Sequence, residues 1–496
     1  MTETTGRRTA PGFIEPNLSE REKLTILGGV LLSMLLAALD QSIVAPAMPT
    51  IARELGHEQY LPWIVTGYLL TATAVAPLYG KISDIYGRRP TLYAALLIFL
   101  FGSLISALSP NMFVLIAGRA IQGLGGGGLF ALSQTIIGDL VPPRERARYT
   151  VWISATWATA SIAGPLLGGT FAEHLSWTLI FWINLPLGVI AMLVINAPLK
   201  KLNRPARGHK LDGWGAALLV LATAALLLML NWGGSLYPWL SPEIIGLLAV
   251  SAILWVLFAI RIRRASEPLI SLEVLTNRVV LLGTAAMFVV QAANVGLTVY
   301  MPVYLQSVLH LPPSDAGYSL LGLLLGAVSG AAVSGRLTAK LTNYKRIAMV
   351  GSLMSTLGLV AFWMFAGTAT LAAIEVMMVV VGVGMGVIFP VLTVSVQNAV
   401  DQAHLGVATG VLTFLRSLGS ALGVAVLGAI ALGYGVQLAG EGNAGSAPPA
   451  SLTAEPFAAI FIAAAAMMFI AFLILLTLPQ RPLRGYATQN LENAAS

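Results

Sequence analysis

From residue 24 to residue 478 the chain alternates long apolar runs with short polar stretches. Fourteen runs lie at 24–48, 61–80, 91–109, 112–138, 148–172, 177–197, 213–231, 242–261, 279–305, 316–336, 346–366, 369–394, 405–433 and 457–478. Each is near the roughly 20 residues that a helix needs to cross a hydrocarbon core. Strands of a membrane barrel would be about 10 residues long with alternating polarity, and no run alternates that way. Many runs are rich in Gly and Ala, which lets helices approach closely in lipid. The pattern predicts an all-α membrane protein with 14 transmembrane helices.

Composition strengthens this reading. The chain is 57% hydrophobic and 10% charged, against about 45–50% and 25% in soluble domains, which excludes a soluble enzyme. The net charge of +7 would suggest nucleic acid in a soluble chain. Here the basic residues are sorted by side. With the N-terminus inside, all of the 28 Lys and Arg except Arg53, Arg119 and Arg416 fall in the tails and loops of one face. That asymmetry marks the cytoplasmic side. Both termini are therefore expected in the cytoplasm, and the chain in the cell inner (plasma) membrane. The lipid bilayer is its partner, no nucleic acid binds, and the protein is a monomer. There is no Cys, and no two of the five His are spaced as a metal pair, so no metal site is expected.

A repeat is visible in the loops. Gly80 to Arg89 follows the second run, and Gly335 to Arg346 follows the tenth; each is a Gly followed by a short basic stretch. The spacing gives a 6+2+6 plan. A cytoplasmic tail (1–23) precedes a six-helix bundle (24–197). An inserted two-helix pair with flanking basic loops (198–278) leads to a second bundle (279–478) and a tail (479–496). Residues 434–456, rich in Gly, Ala, Ser and Pro, read as a connector. Repeated halves are a transporter signature, with the substrate between them near the midplane.

Four charges fall well inside spans: Asp40, Arg119, Glu375 and Arg416. Such residues are costly in lipid and usually functional. At 1.5 Å per residue, Asp40 and Arg119 both lie about 10–12 Å deep, so they can pair. Glu375 is expected near the pseudo-symmetric position of Arg119, with Arg416 as its neighbour. It is a candidate substrate or second proton site, or one half of a structural pair. Burial disfavours a charged carboxylate while a nearby guanidinium favours it, so a moving helix can tip an acid–arginine pair. That makes a proton switch without His.

Several motifs accompany these charges. Gly80, Asp84, Gly87, Arg88 and Arg89 form G-x-x-x-D-x-x-G-R-R directly after a span. The run Arg119-Ala120-Ile121-Gln122-Gly123-Leu124-Gly125 crosses the fourth span, and its Gly123 to Gly128 stretch lacks the preceding strand that a nucleotide site needs. Gly164, Pro165, Gly168 and Gly169 line the fifth span as a close-packing seam. These patterns resemble the signature loop, the proton-coupling fourth-helix motif and the antiporter motif of the major facilitator superfamily. Asp40 to Pro49, Ser176-Trp177, Ile180 to Gly188 and Gly410 to Gly423 resemble its 14-helix drug:proton antiporter family. The family's basic residue after the Asp is Ile85 here, its Arg after the Trp is Thr178, and the second loop has Ala339 for the acid.

The resemblance implies export of amphipathic, cationic drugs or toxic compounds by alternating access, driven by the proton gradient without a cofactor. Asp40 would carry the proton, Arg119 modulate it, and Asp84, Arg88 and Arg89 hold a cytoplasmic gate. Trp63, Tyr68, Trp157, Tyr300, Phe389 and Phe414 are candidate cavity aromatics. The alternatives are a proton-coupled symporter or facilitator for uptake of a metabolite, and a non-transport membrane receptor or enzyme. The antiporter block argues against the first, and the repeat with no catalytic His/Cys set against the second.

Overall fold

The computed structural model describes residues 18–57, 60–201, 211–234, 236–341, 343–434 and 454–483. Most of the two tails, most of the connector and the centre of the 198–212 basic loop lie outside the described residues. The long helices are α1 (Glu20–Ile43), α2 (Leu61–Tyr86), α3 (Arg88–Ala107), α4 (Met112–Leu140), α5 (Pro143–His174), α6 (Asn184–Lys201) and α7 (Gly213–Trp232). They continue with α8 (Pro242–Arg264), α9 (Arg278–Ser307), α10 (Pro313–Lys340), α11 (Lys345–Phe365), α12 (Leu371–Asn398), α13 (Leu405–Gly433) and α14 (Glu455–Thr477). Among the described residues, 13 helices are long and apolar enough to cross a membrane. The 32-residue α5, richer in Thr, Ser and Arg, runs beside them.

Local chemistry sets several boundaries. Ser19 caps α1 and exchanges hydrogen bonds with Glu22, a capping box that starts the helix ahead of its apolar run. Past Ile43 the chain passes through a short turn carrying Pro46 and a brief helix, Met48–Leu55. The sixth span is broken. Leu179–Trp182 forms one turn and α6 restarts at Asn184, because Pro186 lacks an N–H and its ring crowds the carbonyl four residues back.

Two apolar cores form. One is built from residues between Ile26 and Leu199. The other runs from Ala216 to Leu478 and takes in Leu219, Leu227, Phe258 and Ile262 of the α7–α8 pair. Across the seam between the halves, α2 packs on α13 and α5 on α10. Trp63 of α2 meets Trp232 of α7 edge-on at 5.7 Å.

Glycine contacts bring the two halves into register. A Cβ on Gly123, Gly125 or Gly127 of α4 would strike Tyr68, Phe99 or Ala72. On Gly382, Gly384 or Gly386 of α12 it would strike Leu323, Ser355 or Ala327. The same match holds for Gly168 against Ile43 and Gly423 against Ala292. In this register Asp40 corresponds to Val289, Arg119 to Met378, Gln122 to Val381 and Ser103 to Leu359. The second half is apolar where the first is polar.

Candidate functional site: a buried charge network and an inner gate

The first half holds a closed polar cluster. Asp40 is 0% and Arg119 1% exposed. Arg119 Nη1 donates to Asp40 Oδ2 and to Gln122 Oε1 at 2.7 Å, while its Nε donates to the Ile64 carbonyl at 3.0 Å. Gln122 Nε2 donates to Asp40 Oδ1 at 2.7 Å and to Ser103 Oγ at 2.7 Å. Asn184 Nδ2 reaches the same Asp40 oxygen at 3.3 Å and Ser103 Oγ at 3.0 Å. The guanidinium lies 4.5 Å from the Tyr68 ring centroid and 5.7 Å from that of Phe181. Both oxygens of Asp40 are thus engaged by donors from α4 and α6. Hydrogen bonds in which one partner is ionised are among the stronger ones, so the cluster ties α1 to α4 and α6.

Asp40 also adjoins a helix seam. Two residues on, Ser42 Oγ donates to the Ala160 carbonyl of α5 at 2.7 Å. Cβ atoms on Gly164 and Gly168 would collide with Ser42 and Ile43, whereas one on Gly169 would meet nothing within 4 Å. Pro165 faces outward. The glycine block is a contact that ties α1 to α5.

On the basic-loop side the halves are sealed. Gly87, with φ +96°, makes the tight turn between α2 and α3. Arg88 bridges Asp84 Oδ1 at 2.5 Å and Asp139 Oδ2 at 2.7 Å, and donates to Ser83 Oγ at 2.6 Å. Asp84 then accepts the backbone N–H of Gly406 at 3.2 Å and of Val407 at 3.0 Å. Those are first-turn donors of α13 with no partner in their own helix, and the positive end of the helix dipole favours the carboxylate. Gly80 and Gly406 pack backbone to backbone beside it. A second clasp joins Arg146, Gly138 and Gln397, with Gln397 Nε2 donating to the Gln134 carbonyl at 3.4 Å. Arg146 counts in the sequence as one more loop cation and Asp139 and Gln397 carry no motif, because all three sit at span ends, where polar residues look like loop.

Other expected members lie elsewhere. Arg89 turns away from Asp84 and donates to Asn196 Oδ1 at 2.7 Å, tying α3 to α6. Glu375 is exposed near the N-terminal end of α12, and among the described residues no ion pair joins it to Arg416. Arg416 reaches across the seam to Trp157, 6.0 Å from its ring centroid. Trp157 stacks on Phe130 at 5.0 Å. Tyr68 is buried beneath Arg119 and Tyr300 in the second core. Phe389 is half-buried, and Phe414 packs against Trp255 of α8.

Known proteins resemble this chain in sequence and in fold. Residues 30–424 match the family model for the Major Facilitator Superfamily. Multidrug resistance protein 3 of Bacillus subtilis is 33% identical over 408 residues, covering 82% of this chain and 79% of that protein. Multidrug transporter protein MdtP of the same organism is 32% identical over 413 residues, 83% of this chain and 76% of that one. Among solved structures, the human organic anion transporter MFSD10 gives a TM-score of 0.66 at 17% identity, covering 91% of this chain and 99% of that one. The proton:xylose symporter XylE gives 0.62 at 15% identity, covering 94% and 98%.

Proposed function

The chain belongs to the Major Facilitator Superfamily, a family of membrane transporters rather than enzymes, and we propose that it is a proton-coupled antiporter exporting amphipathic compounds by alternating access. The observation that carries this reading is the buried Asp40–Arg119–Gln122 cluster, present in one half and replaced by apolar residues in the other. An acid kept for structure alone would be an expensive way to hold helices that apolar packing holds in the second half. The similarity to multidrug relatives supports export as the direction and a broad substrate range.

Asp40 carries the proton. In the ionised state it binds Arg119, Gln122 and Asn184 and draws α1, α4 and α6 together. Protonation removes the charge that Arg119 pairs with and loosens α1 from α4. Through Ser42 and the Gly164/Gly168 seam, α1 carries α5 with it, and α5 bears Trp157 at the boundary between halves. The Asp84–α13 contact holds the basic-loop face shut in one arm of the cycle. That face is the cytoplasmic one, in the cell inner membrane, and the proton gradient is the only energy source needed.

The family resemblance is what implies cationic substrates. Glu375 is exposed and makes no ion pair with Arg416 among the described residues, so the charge of the substrate is read from other residues. The test is proton release by purified protein in weak buffer across a panel of amphipathic compounds. An antiporter releases protons on adding a transported compound, and Asp40→Asn releases none. A symporter takes protons up instead.

A further inference from the structure

Arg416 is the charge that the network leaves over. It sits in the middle of α13, within the run Leu412-Thr413-Phe414-Leu415-Arg416-Ser417-Leu418. Among the described residues its guanidinium makes no hydrogen bond and no ion pair. Asp40, the buried acid of the other half, has both oxygens occupied. Glu375 stands exposed near the N-terminal end of α12. The neighbour of Arg416 is Trp157 of the opposite half, 6.0 Å to the ring centroid. Trp157 stacks on Phe130 at 5.0 Å with the rings only 11° apart. The result is a cation beside a two-ring plate, built from α13, α4 and α5 at the seam that alternating access opens and closes.

A lone guanidinium at membrane depth is costly unless something brings a counter-charge. Its planar fork matches two-oxygen anions, and its plane lies well against aromatic groups. We infer that Arg416 binds the acidic head of the transported compound while the Trp157–Phe130 stack takes its aromatic or apolar body. The substrate class is amphipathic organic anions bearing a carboxylate, sulfonate or phosphate. This rests on the reading of the chain as an exporter. An anionic lipid headgroup offers the same chemistry, so the test separates the two sources.

The test uses full-length protein in phosphatidylcholine nanodiscs and three naphthyl probes of one shape: 2-naphthoate, its methyl ester and 2-naphthylmethylammonium. Binding is read by tryptophan fluorescence. Wild type is expected to bind naphthoate about tenfold or more tighter than the ester, and the ammonium most weakly. Losing a charged hydrogen bond weakens binding about 10- to 100-fold, so Arg416→Gln should bring naphthoate to the level of the ester. It should also raise Tm, because an unpaired charge is removed. Arg416→Lys should keep part of the preference, and Trp157→Ala should weaken all three probes alike. A wild-type preference for the ammonium overturns the inference, as does an unchanged naphthoate preference in Arg416→Gln. If phosphatidylglycerol displaces naphthoate and stabilises only proteins that carry Arg416, the site is a lipid site and the transported-anion assignment falls. Driven accumulation in everted vesicles tells the two readings apart. Proton-driven export of cations alone leaves the exporter and sinks the anion site. Naphthoate binding with no compound moved does the reverse.

Discussion

Asp84, at the end of α2, accepts the backbone N–H of Val407 in the first turn of α13 at 3.0 Å, so one carboxylate fastens the two halves of the protein together. The same carboxylate pairs with Arg88, which also holds Asp139. Its position makes it a latch and keeps it apart from the buried cluster.

Asp84→Asn keeps one acceptor oxygen and loses the charge that faces the helix end and Arg88. The loss should be about 1–2 kcal/mol from the closed inner face, a shift of roughly 5- to 30-fold in the open/closed ratio. The chain has no Cys, so spin labels on Tyr86→Cys and Leu341→Cys report opening without background. The expected result is a longer distance population and slower turnover with substrate affinity unchanged. A collapse of equilibrium binding would instead put Asp84 in the substrate site.

Gly164 and Gly169 separate packing from motif. Gly164→Ala drives a methyl into Ser42 at the α1–α5 seam. Overpacking of this kind costs about 1–3 kcal/mol, so Tm and transport should both fall. Gly169→Ala meets open space and gains helix propensity of up to about 1 kcal/mol, so Tm should hold or rise with transport intact. If Gly169→Ala stays stable but stops transport, the block acts by something other than close contact.

Much of this was legible along the chain. The run at 405–433 and the helix Leu405–Gly433 coincide, since a span of lipid-length apolarity leaves little freedom. Asp40 and Arg119 stood out because a charge in such a run needs a reason. Gln122 and Asn184 lie inside motifs that the sequence shows and Ser103 in none, but nothing along the chain joins the three to Asp40, because a polar residue in a span shows its partners only once helical rotation is fixed by neighbours. Asn184 depends further on the break that Pro186 makes. Arg88 and Arg89 are adjacent and alike in sequence, and only the helix phase sends one to Asp84 and the other to Asn196. Glu375 was set opposite Arg119 by counting from span ends. The glycine register places Met378 there instead, three residues further along.

Glu375→Gln should therefore leave Tm unchanged, as substitutions of exposed side chains usually do, and leave transport close to wild type. A selective loss of cation export would return Glu375 to the substrate path.

Arg119→Lys keeps the charge and loses the geometry. The guanidinium donates at once to Asp40, Gln122 and the Ile64 carbonyl, which a single ammonium on a flexible stem does not reproduce. Turnover should fall about tenfold or more, as the loss of one charged hydrogen bond implies, and the pH profile of transport should move. An unmoved pH profile would uncouple Arg119 from Asp40.

The most direct measurement is on Asp40 itself. Asp40→Asn keeps the side chain's size and one acceptor oxygen, enough for Arg119 or Gln122 but not both in this geometry, and removes the titrating group. In proteoliposomes loaded with a transported compound, the variant should still exchange it between equal pools. With an imposed pH gradient it should fail to concentrate the compound, where wild type concentrates it. If Asp40→Asn accumulates the compound against its gradient as wild type does, Asp40 is not the proton carrier.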